Sequence, residues 1–256
     1  MENISGSNGN DTLVGSYYAD TINGKAGNDT IITDRYGNDT LTGGGGNDKF
    51  FNDLDNYVNG FDNSDDVING QGGNDKIDGK SGNDLLRGGA GNNTLIGGAG
   101  NDTLDAGFST GNNLLDGGVG NDTLDVSAST GDNLLNGGDG NDYLLGSGND
   151  EYLGNGNNYS SLGNNTLNGG AGNDTLGLFL SEGDNLLIGG DGNDYLRNYS
   201  NKYELSGTSG NNTIIGGAGN DSLGLTNATG DNLVDGGNGN DYLSVLSYSG
   251  SQLGAI

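Results

Sequence analysis

Aspartates that could hold a cation recur at a fixed spacing in this chain, each at the end of a glycine-rich segment. Asp102, Asp122 and Asp142 close three GGxGND segments and lie 20 residues apart. Glycine adopts left-handed backbone angles that let the chain turn tightly, so successive carbonyls can face one point. Calcium accepts about six to eight oxygens from carbonyls and carboxylates, whereas magnesium demands a stricter octahedron and gives up water reluctantly. The segments therefore predict calcium binding.

The same aspartate position recurs through almost the whole sequence. In the first third it returns about every nine residues, two residues before an apolar residue, which predicts as metal ligands Asp11, Asp20, Asp29, Asp39, Asp48, Asp66, Asp75 and Asp84. From residue 93 onward, asparagine takes alternate positions, so Asn93, Asn113 and Asn133 are predicted on one edge and aspartates on the other. The predicted ligands of the second half continue with Asp150, Asp174, Asp194, Asp221 and Asp241.

Two questions about these edges stay open in the sequence. Asparagines can pair with one another through amide hydrogen bonds, so calcium on their edge is not settled. Residues 195–211 interrupt the alternation, and whether they form one long arm or two short ones decides which edge carries Asp221 and Asp241.

The elements that must position these turns are short strands. In residues 123–128, Leu124, Val126 and Ala128 alternate with polar residues, which predicts one inward and one outward face. Two half-units per coil give about thirteen stacked coils and a rod about 60 Å long, because neighbouring strands lie about 4.8 Å apart. No helical period is present, so the fold class is predicted as all-β, a solenoid of stacked coils with minimal helix.

The organisation predicted from these patterns is a single roll over residues 1–244 with a tail or cap at 245–256. Residues 1–92 carry aspartate turns on both edges, and 93–244 mostly carry aspartate on one edge and asparagine on the other. Irregular coils are predicted near 52–62, 146–163 and 195–211.

Composition excludes several classes of function. The net charge is −27 with only 8 Lys and Arg, which excludes a nucleic-acid binder and disfavours an anionic membrane surface. The chain has no Cys and no His, so thiolate zinc sites and histidine-dependent catalytic triads are absent. No apolar run approaches the length of a membrane span, and we expect no N-terminal signal peptide.

The segments GGAGNDTL, GGVGNDTL and GGDGNDYL resemble the nonapeptide calcium-binding repeats of RTX (repeats-in-toxin) proteins, and the resemblance covers residues 5–244. It implies a right-handed parallel β-roll with each calcium ion between neighbouring turns of one edge. By resemblance, carbonyls of Gly97, Ala99 and Asn101 would share an ion with Gly118, Gly120 and Asp122. The next set would join Gly117, Val119 and Asn121 to Gly138, Gly140 and Asp142. The resemblance also implies secretion of an unfolded chain by a type I system.

The function expected from these observations is a calcium-binding structural or adhesive module that folds outside the cell around several ions, roughly ten or more. An alternative is a module that binds or acts on polysaccharide, with Arg197, Tyr199, Lys202 and Tyr203 as the place to look. Outward leucines at Leu114, Leu134, Leu186 and Leu233 could pack against another roll. A remote alternative is ice binding by the outward threonines, and no enzymatic activity is expected.

Overall fold

The computed structural model describes residues 1–33, 39–52, 65–147, 163–179, 183–199, 210–226, 228–246 and 253–255. These residues form 24 short parallel strands and no helix, and the strands alternate between two sheets along the chain. The chain is therefore an all-β parallel solenoid, as the period-two pattern predicts. Accordingly, no described segment is a helix that could cross a membrane.

The first sheet holds the odd-numbered strands in sequential order, and 12 strands are hydrogen-bonded side by side. They are β1 (Asn3–Ser5), β3 (Thr21–Ala26), β5 (Thr40–Gly45), β7 (Val67–Gly72), β9 (Leu85–Arg87), β11 (Thr103–Asp105), β13 (Thr123–Asp125), β15 (Tyr143–Ser147), β17 (Thr175–Phe179), β19 (Tyr195–Tyr199), β21 (Ser222–Thr226) and β23 (Tyr242–Leu246).

The second sheet holds the even-numbered strands, again 12 in sequential order. They are β2 (Thr12–Val14), β4 (Thr30–Thr33), β6 (Lys49–Asn52), β8 (Lys76–Ser81), β10 (Thr94–Ala99), β12 (Leu114–Val119), β14 (Leu134–Asp139), β16 (Thr166–Ala171), β18 (Leu186–Asp191), β20 (Thr213–Ala218), β22 (Asn232–Asn238) and β24 (Leu253–Ala255). Each coil contributes one strand to each sheet, so the described part has twelve coils, close to the thirteen expected.

The core is a narrow column of aliphatic side chains between the two sheets. The second residue of nearly every strand points inward, and Leu104, Leu115 and Leu124 are completely buried. In register, Leu104 pairs with Leu124 and Leu95 with Leu115, so identical side chains stack along the axis. Ala106, Val126 and Leu178 widen this column on the first sheet. One such column is a small core for 256 residues, and other interactions must hold the coils together.

Paired strands show where the coil length changes. Between Asp102 and Asp142 each coil is 20 residues long, whereas Asp142 stacks on Asp174, 32 residues later, and Asp194 on Asp221, 27 residues later. The predicted irregular coils near 52–62, 146–163 and 195–211 fall largely outside the described residues. The tail predicted at 245–256 begins within β23, and β24 pairs with β22 at its far end.

Glycines form the tight turns between consecutive strands. Gly98 and Gly100 have φ of 117° and 142°, and their counterparts Gly118 and Gly120 have 106° and 138°. Such angles are strained for residues that carry a Cβ atom. A Cβ on Gly120 would also overlap the carbonyl oxygen of Gly100 in the coil below. The glycines are therefore required both by the turn and by the close stacking of one turn on the next.

Candidate metal centre

One edge of the solenoid carries an unbroken column of aspartates, hereafter the aspartate edge. Each aspartate precedes a strand of the first sheet, and all of them except Asp241 are buried. The backbone N–H of each one donates to Oδ1 of the next aspartate in the column. The members are Asp20, Asp39, Asp66, Asp84, Asp102, Asp122, Asp142, Asp174, Asp194, Asp221 and Asp241, joined by hydrogen bonds of 2.7 to 3.0 Å. Asp221 and Asp241 thus lie on the same edge as Asp102, which the sequence left open.

The opposite edge, hereafter the mixed edge, changes composition halfway along the column. Its members precede strands of the second sheet and are Asp11, Asp29, Asp48, Asp75, Asn93, Asn113, Asn133, Asn165, Asn185, Asn212 and Asn232, joined in the same way at 2.7 to 3.3 Å. Asparagine replaces aspartate from residue 93 without any break in the backbone ladder. Only one atom of the side chain differs between the two kinds of rung.

The second carboxylate oxygen distinguishes the aspartate rungs. Oδ1 of Asp122 accepts the Asp102 N–H at 2.8 Å, but its Oδ2 is buried and has no hydrogen-bond partner among the residues that the structure describes. The same holds for Oδ2 of Asp29, Asp48, Asp75, Asp102, Asp142, Asp174, Asp194 and Asp221. An anionic oxygen that is buried without a partner is costly, because it has lost water and gained nothing. Each of these oxygens needs a cation or a proton.

A second oxygen faces the same space beside each of these carboxylates. A Cβ built on Gly97 would overlap Oδ2 of Asp102 and would lie 2.6 Å from the carbonyl oxygen of Gly117 in the following coil. A Cβ on Gly117 would meet Oδ2 of Asp122 and the Gly137 carbonyl in the same way. The first glycine of the motif therefore keeps open a small space between a carboxylate and a carbonyl of the next turn. The donor set is entirely oxygen, which suits a hard cation.

The raised pKa values of several buried aspartates agree with this need for a cation or a proton. Burial, followed by repulsion from neighbouring carboxylates, raises the pKa of Asp122 and Asp174 to about 7, although a backbone hydrogen bond opposes the rise. Burial raises the pKa of Asp75, Asp102 and Asp194 to about 6. These side chains would take up protons near neutrality when no cation is bound.

The first coil satisfies its carboxylates differently. Oδ2 of Asp20 accepts hydrogen bonds from the Ser16 backbone N–H at 2.6 Å and from the Ser16 hydroxyl at 2.9 Å. Oδ2 of Asp11 accepts the same pair of bonds from Ser7. Burial favours a higher pKa for Asp20, but the hydrogen bonds from Ser16 and Glu2 outweigh it and the pKa is lowered. Asp11 and Asp20, both predicted from spacing as metal ligands, therefore already have donors at the oxygen that is orphaned elsewhere.

The asparagine rungs are also internally satisfied. Nδ2 of Asn133 donates to the Gly131 carbonyl and to Oδ1 of Asn165, both at 2.8 Å. Nδ2 of Asn113 donates to the Gly111 carbonyl at 3.0 Å and to Oδ1 of Asn133 at 2.9 Å. The amide thus supplies hydrogens at the place where aspartate would leave an unmatched oxygen.

A second, exposed ladder, hereafter the outer ladder, was not anticipated from the sequence. The residue before each buried rung accepts, at Oδ1, the backbone N–H of its counterpart in the following coil, as when Asn121 donates to Asn101 at 2.7 Å. On the aspartate edge this ladder runs through Asp65, Asn83, Asn101, Asn121, Asn141, Asn173, Asn193, Asn220 and Asn240. The buried rungs bond in the opposite direction, so each Asn-Asp pair ties its coil to both neighbours. The recurrent Asn before the aspartate, as at Asn101, Asn121 and Asn141, was the available signal.

The backbone carbonyls predicted from the family resemblance lie in neighbouring turns of one edge. Gly98 pairs with Gly118 and Ala99 with Val119 in register, and the next turn continues with Gly138 and Gly140. The Ala99 carbonyl already accepts the Gly82 N–H and the Val119 carbonyl accepts the Gly100 N–H. One lone pair of each of these oxygens is therefore used within the sheet.

Carboxylates alone do not make a site here. No three acidic side chains of the described residues converge on one point. Any ion would use a carboxylate together with backbone oxygens, as the GGxGND chemistry predicts. Asp150, also predicted as a ligand, lies outside the described residues, and the ladder passes from Asp142 directly to Asp174.

Comparison with known proteins identifies the repeat. A family model described as the RTX calcium-binding nonapeptide repeat matches residues 5–35, 31–58, 62–86, 78–108, 109–128, 125–150, 152–176, 178–198, 204–224 and 228–245. The matches span nearly the whole chain. No curated protein matches the chain significantly.

Proposed function

The chain belongs to the RTX calcium-binding nonapeptide repeat family, and on this premise we propose that it is a secreted structural module that closes into a roll when it binds calcium. The family implies Ca²⁺ as the ion, and its repeats are typically structural parts of secreted proteins rather than catalytic ones. The observation that carries the proposal is the column of buried aspartates whose Oδ2 atoms have no partner.

The residues fit calcium on the aspartate edge. Asp102 and Asp122 would each contribute Oδ2, and the Gly117 and Gly137 carbonyls face the same spaces. Positive charge there would remove the repulsion between successive carboxylates and the cost of their burial. The equivalent rungs Asp142, Asp174, Asp194 and Asp221, and Asp29, Asp48 and Asp75 on the mixed edge, would hold further ions.

Calcium binding would then be inseparable from folding. The net charge of −27 opposes compaction, and the aliphatic core is a single column. A ligand that binds the folded chain and not the unfolded one adds its binding energy to stability. Extracellular calcium modules bind at about 10⁻⁴ to 10⁻³ M, which would keep the chain open inside a cell and closed outside.

Circular dichroism with chelator and then calcium tests this proposal. We expect the β signal near neutral pH to be lost in excess chelator and restored by calcium, with magnesium at the same concentration as the control. A β spectrum that persists unchanged in excess chelator would contradict the proposal.

The adhesive role expected from the sequence has no support beyond the exposed apolar residues of the outer faces. Leu114 and Leu134 are 40% and 46% exposed and adjacent in register on the second sheet, next to a groove lined by the outer-ladder side chains of Asn92, Asn112 and Asp132. A screen of the calcium-loaded protein against polysaccharides, with sedimentation analysis for self-association, would test it.

A further inference from the structure

We infer that the asparagine half of the mixed edge is a metal-free spine, in which the side-chain amide nitrogen takes the place of calcium. The inference rests on the proposed function, since it assigns which turns bind calcium and which do not. It concerns seven consecutive rungs, namely Asn93, Asn113, Asn133, Asn165, Asn185, Asn212 and Asn232.

The sharpest evidence comes from two adjacent rungs that share one turn type. Residues 70–75 read GQGGND and residues 88–93 read GGAGNN, and the two turns stack directly, with the Asp75 N–H donating to Oδ1 of Asn93 at 3.0 Å. A Cβ on Gly70 would meet Oδ2 of Asp75, whereas a Cβ on Gly88 would lie 2.8 Å from Nδ2 of Asn93. The nitrogen therefore occupies the position that the orphaned oxygen occupies one coil earlier.

At Asn93 that nitrogen engages the carbonyls of its own turn. Nδ2 lies 3.2 Å from the Gly89 carbonyl and 3.4 Å from the Gly91 carbonyl. Both oxygens belong to the glycine turn, and backbone carbonyl oxygens of this kind would be ligands of a bound cation. An amide N–H group is a donor only, so it repels a cation and satisfies these oxygens without one.

The pattern continues along the spine, where the amides of Asn113, Asn133, Asn165, Asn185 and Asn212 also reach the next coil. Nδ2 of Asn185 donates to the Gly183 carbonyl at 2.6 Å and to Oδ1 of Asn212 at 3.0 Å. Nδ2 of Asn212 does the same with Gly210 at 3.2 Å and Asn232 at 3.0 Å. None of these seven amides contributes charge, so the spine needs no counterion.

The turns themselves agree with this reading. Beyond residue 93 the mixed-edge turns read STGNN at 109–113 and STGDN at 129–133, and the later ones likewise end in GNN or GDN, so all lack the glycine pair that opens the motif. In the described turn at 109–113, Ser109 is buried and its hydroxyl donates to the Gly91 carbonyl at 2.9 Å. A hydroxyl and an amide thus supply hydrogens to backbone oxygens of this edge, and glycine is no longer required to keep a space open for an ion.

A reciprocal exchange on the two adjacent rungs tests the inference. Asn93→Asp would create an orphaned carboxylate in a full glycine turn, and Asp75→Asn would remove one. Calcium bound per chain would be measured by elemental analysis after desalting and by calorimetric titration. We expect Asn93→Asp to bind an additional ion and Asp75→Asn to bind one fewer, with Asn93→Ala as a control that loses the hydrogen bonds and gains no ion.

Three further outcomes bear on this inference and separate it from the proposed function. If wild type binds calcium but Asn93→Asp leaves the ion count unchanged and Asn93→Ala lowers it, Asn93 is itself a calcium ligand and the metal-free spine is wrong. If Asn93→Asp prevents folding, the double substitution Asn113→Gln and Asn133→Gln provides the second test, because an unchanged ion count is expected and a lowered one overturns the inference. If wild type binds no calcium at all, the proposed function fails instead.

Discussion

The two edges of this solenoid share a backbone ladder, and from residue 93 onward their buried rungs differ in a single side-chain atom, the oxygen of aspartate or the nitrogen of asparagine. On the aspartate edge, Oδ2 of Asp122 is buried without a partner, whereas on the mixed edge Nδ2 of Asn133 donates to two oxygens. Oδ1 plays the same part in both, accepting a backbone N–H from the coil before. Oδ1 therefore supports the stacking of the coils on both edges. The second side-chain atom, Oδ2 in aspartate or Nδ2 in asparagine, determines whether the rung needs a cation or a proton.

The comparison also extends within one edge. Asp11 and Asp29 are neighbours on the mixed edge, yet Ser7 donates to Oδ2 of Asp11, whereas no group in the described part of the chain donates to Oδ2 of Asp29. A serine near the turn and an amide at the rung are thus two ways of avoiding an orphaned carboxylate oxygen. Calcium would be a third.

The largest effect is expected when one aspartate rung loses both its proposed ion-binding oxygen and its hydrogen-bond acceptor. Asp122→Ala removes a proposed ion ligand and leaves the buried Asp102 N–H without its acceptor, so the calcium-loaded protein should lose about 3 kcal/mol or more of unfolding free energy. Denaturant titration in calcium measures this. Asp132→Ala on the exposed outer ladder is the matched control and should change stability by no more than about 1 kcal/mol. Equal losses in the two variants would remove the distinction between the ladders.

A slightly smaller effect is expected for filling the space beside a carboxylate. The Cβ of Gly117→Ala would overlap Oδ2 of Asp122, so we expect weaker calcium binding and a loss of roughly 2 kcal/mol in the calcium-loaded state. Gly45→Ala is the control, because nothing lies within 4 Å of its Cβ position. Calorimetric calcium titration of both variants, combined with denaturant unfolding, provides the measurement. A Gly117→Ala protein with unchanged affinity would argue against an ion at this place.

The pH dependence of the calcium-free protein should depend on the aspartate edge. The folded pKa of Asp122 and of Asp174 is raised from the ordinary aspartate value of 3.8 to about 7, so the folded chain binds more protons than the unfolded chain between these two pH values. Stability from these groups is present at low pH and is lost as pH rises through about 7. In excess chelator, lowering the pH from about 7.5 to about 5 should therefore favour the folded state roughly tenfold or more.

The control for this prediction removes the titrating groups and keeps the ladder. Asp122→Asn with Asp174→Asn should flatten the pH dependence, although general relief of charge repulsion will leave some slope. Circular dichroism across the pH range in chelator gives the comparison. An unaltered pH profile in the double variant would show that the buried rungs are not responsible.

The smallest effect is expected for the outer ladder. Asn101→Ala removes the acceptor of the exposed Asn121 N–H, which water can replace, so the cost should stay below about 1 kcal/mol. Thermal unfolding in calcium is sufficient to measure it. A loss as large as that of Asp122→Ala would mean that the outer ladder carries the stacking.

The sequence alone determined the repeat, the strand period, the oxygen-rich turn chemistry and the existence of two kinds of edge. These follow from local rules, because glycine at Gly98 and Gly100 is demanded by the turn and an inward leucine such as Leu124 is demanded by the only core available. The family resemblance rested on the same repeated residues.

Only the tertiary structure decided which buried carboxylates have an oxygen that lacks a hydrogen-bond partner among the described residues. The opposed directions of the two ladders and the placement of Asp221 above Asp194 depend on register between coils, whose paired rungs are 18 to 32 residues apart. The pairing of Ser16 with Asp20 lies within one turn, but the spacing of the aspartates does not indicate it. Local preferences do not fix that register across coils of unequal length, whereas backbone hydrogen bonding between strands does. Spacing treated Asp11, Asp20 and Asp122 as equivalent, but the donors around each oxygen distinguish them.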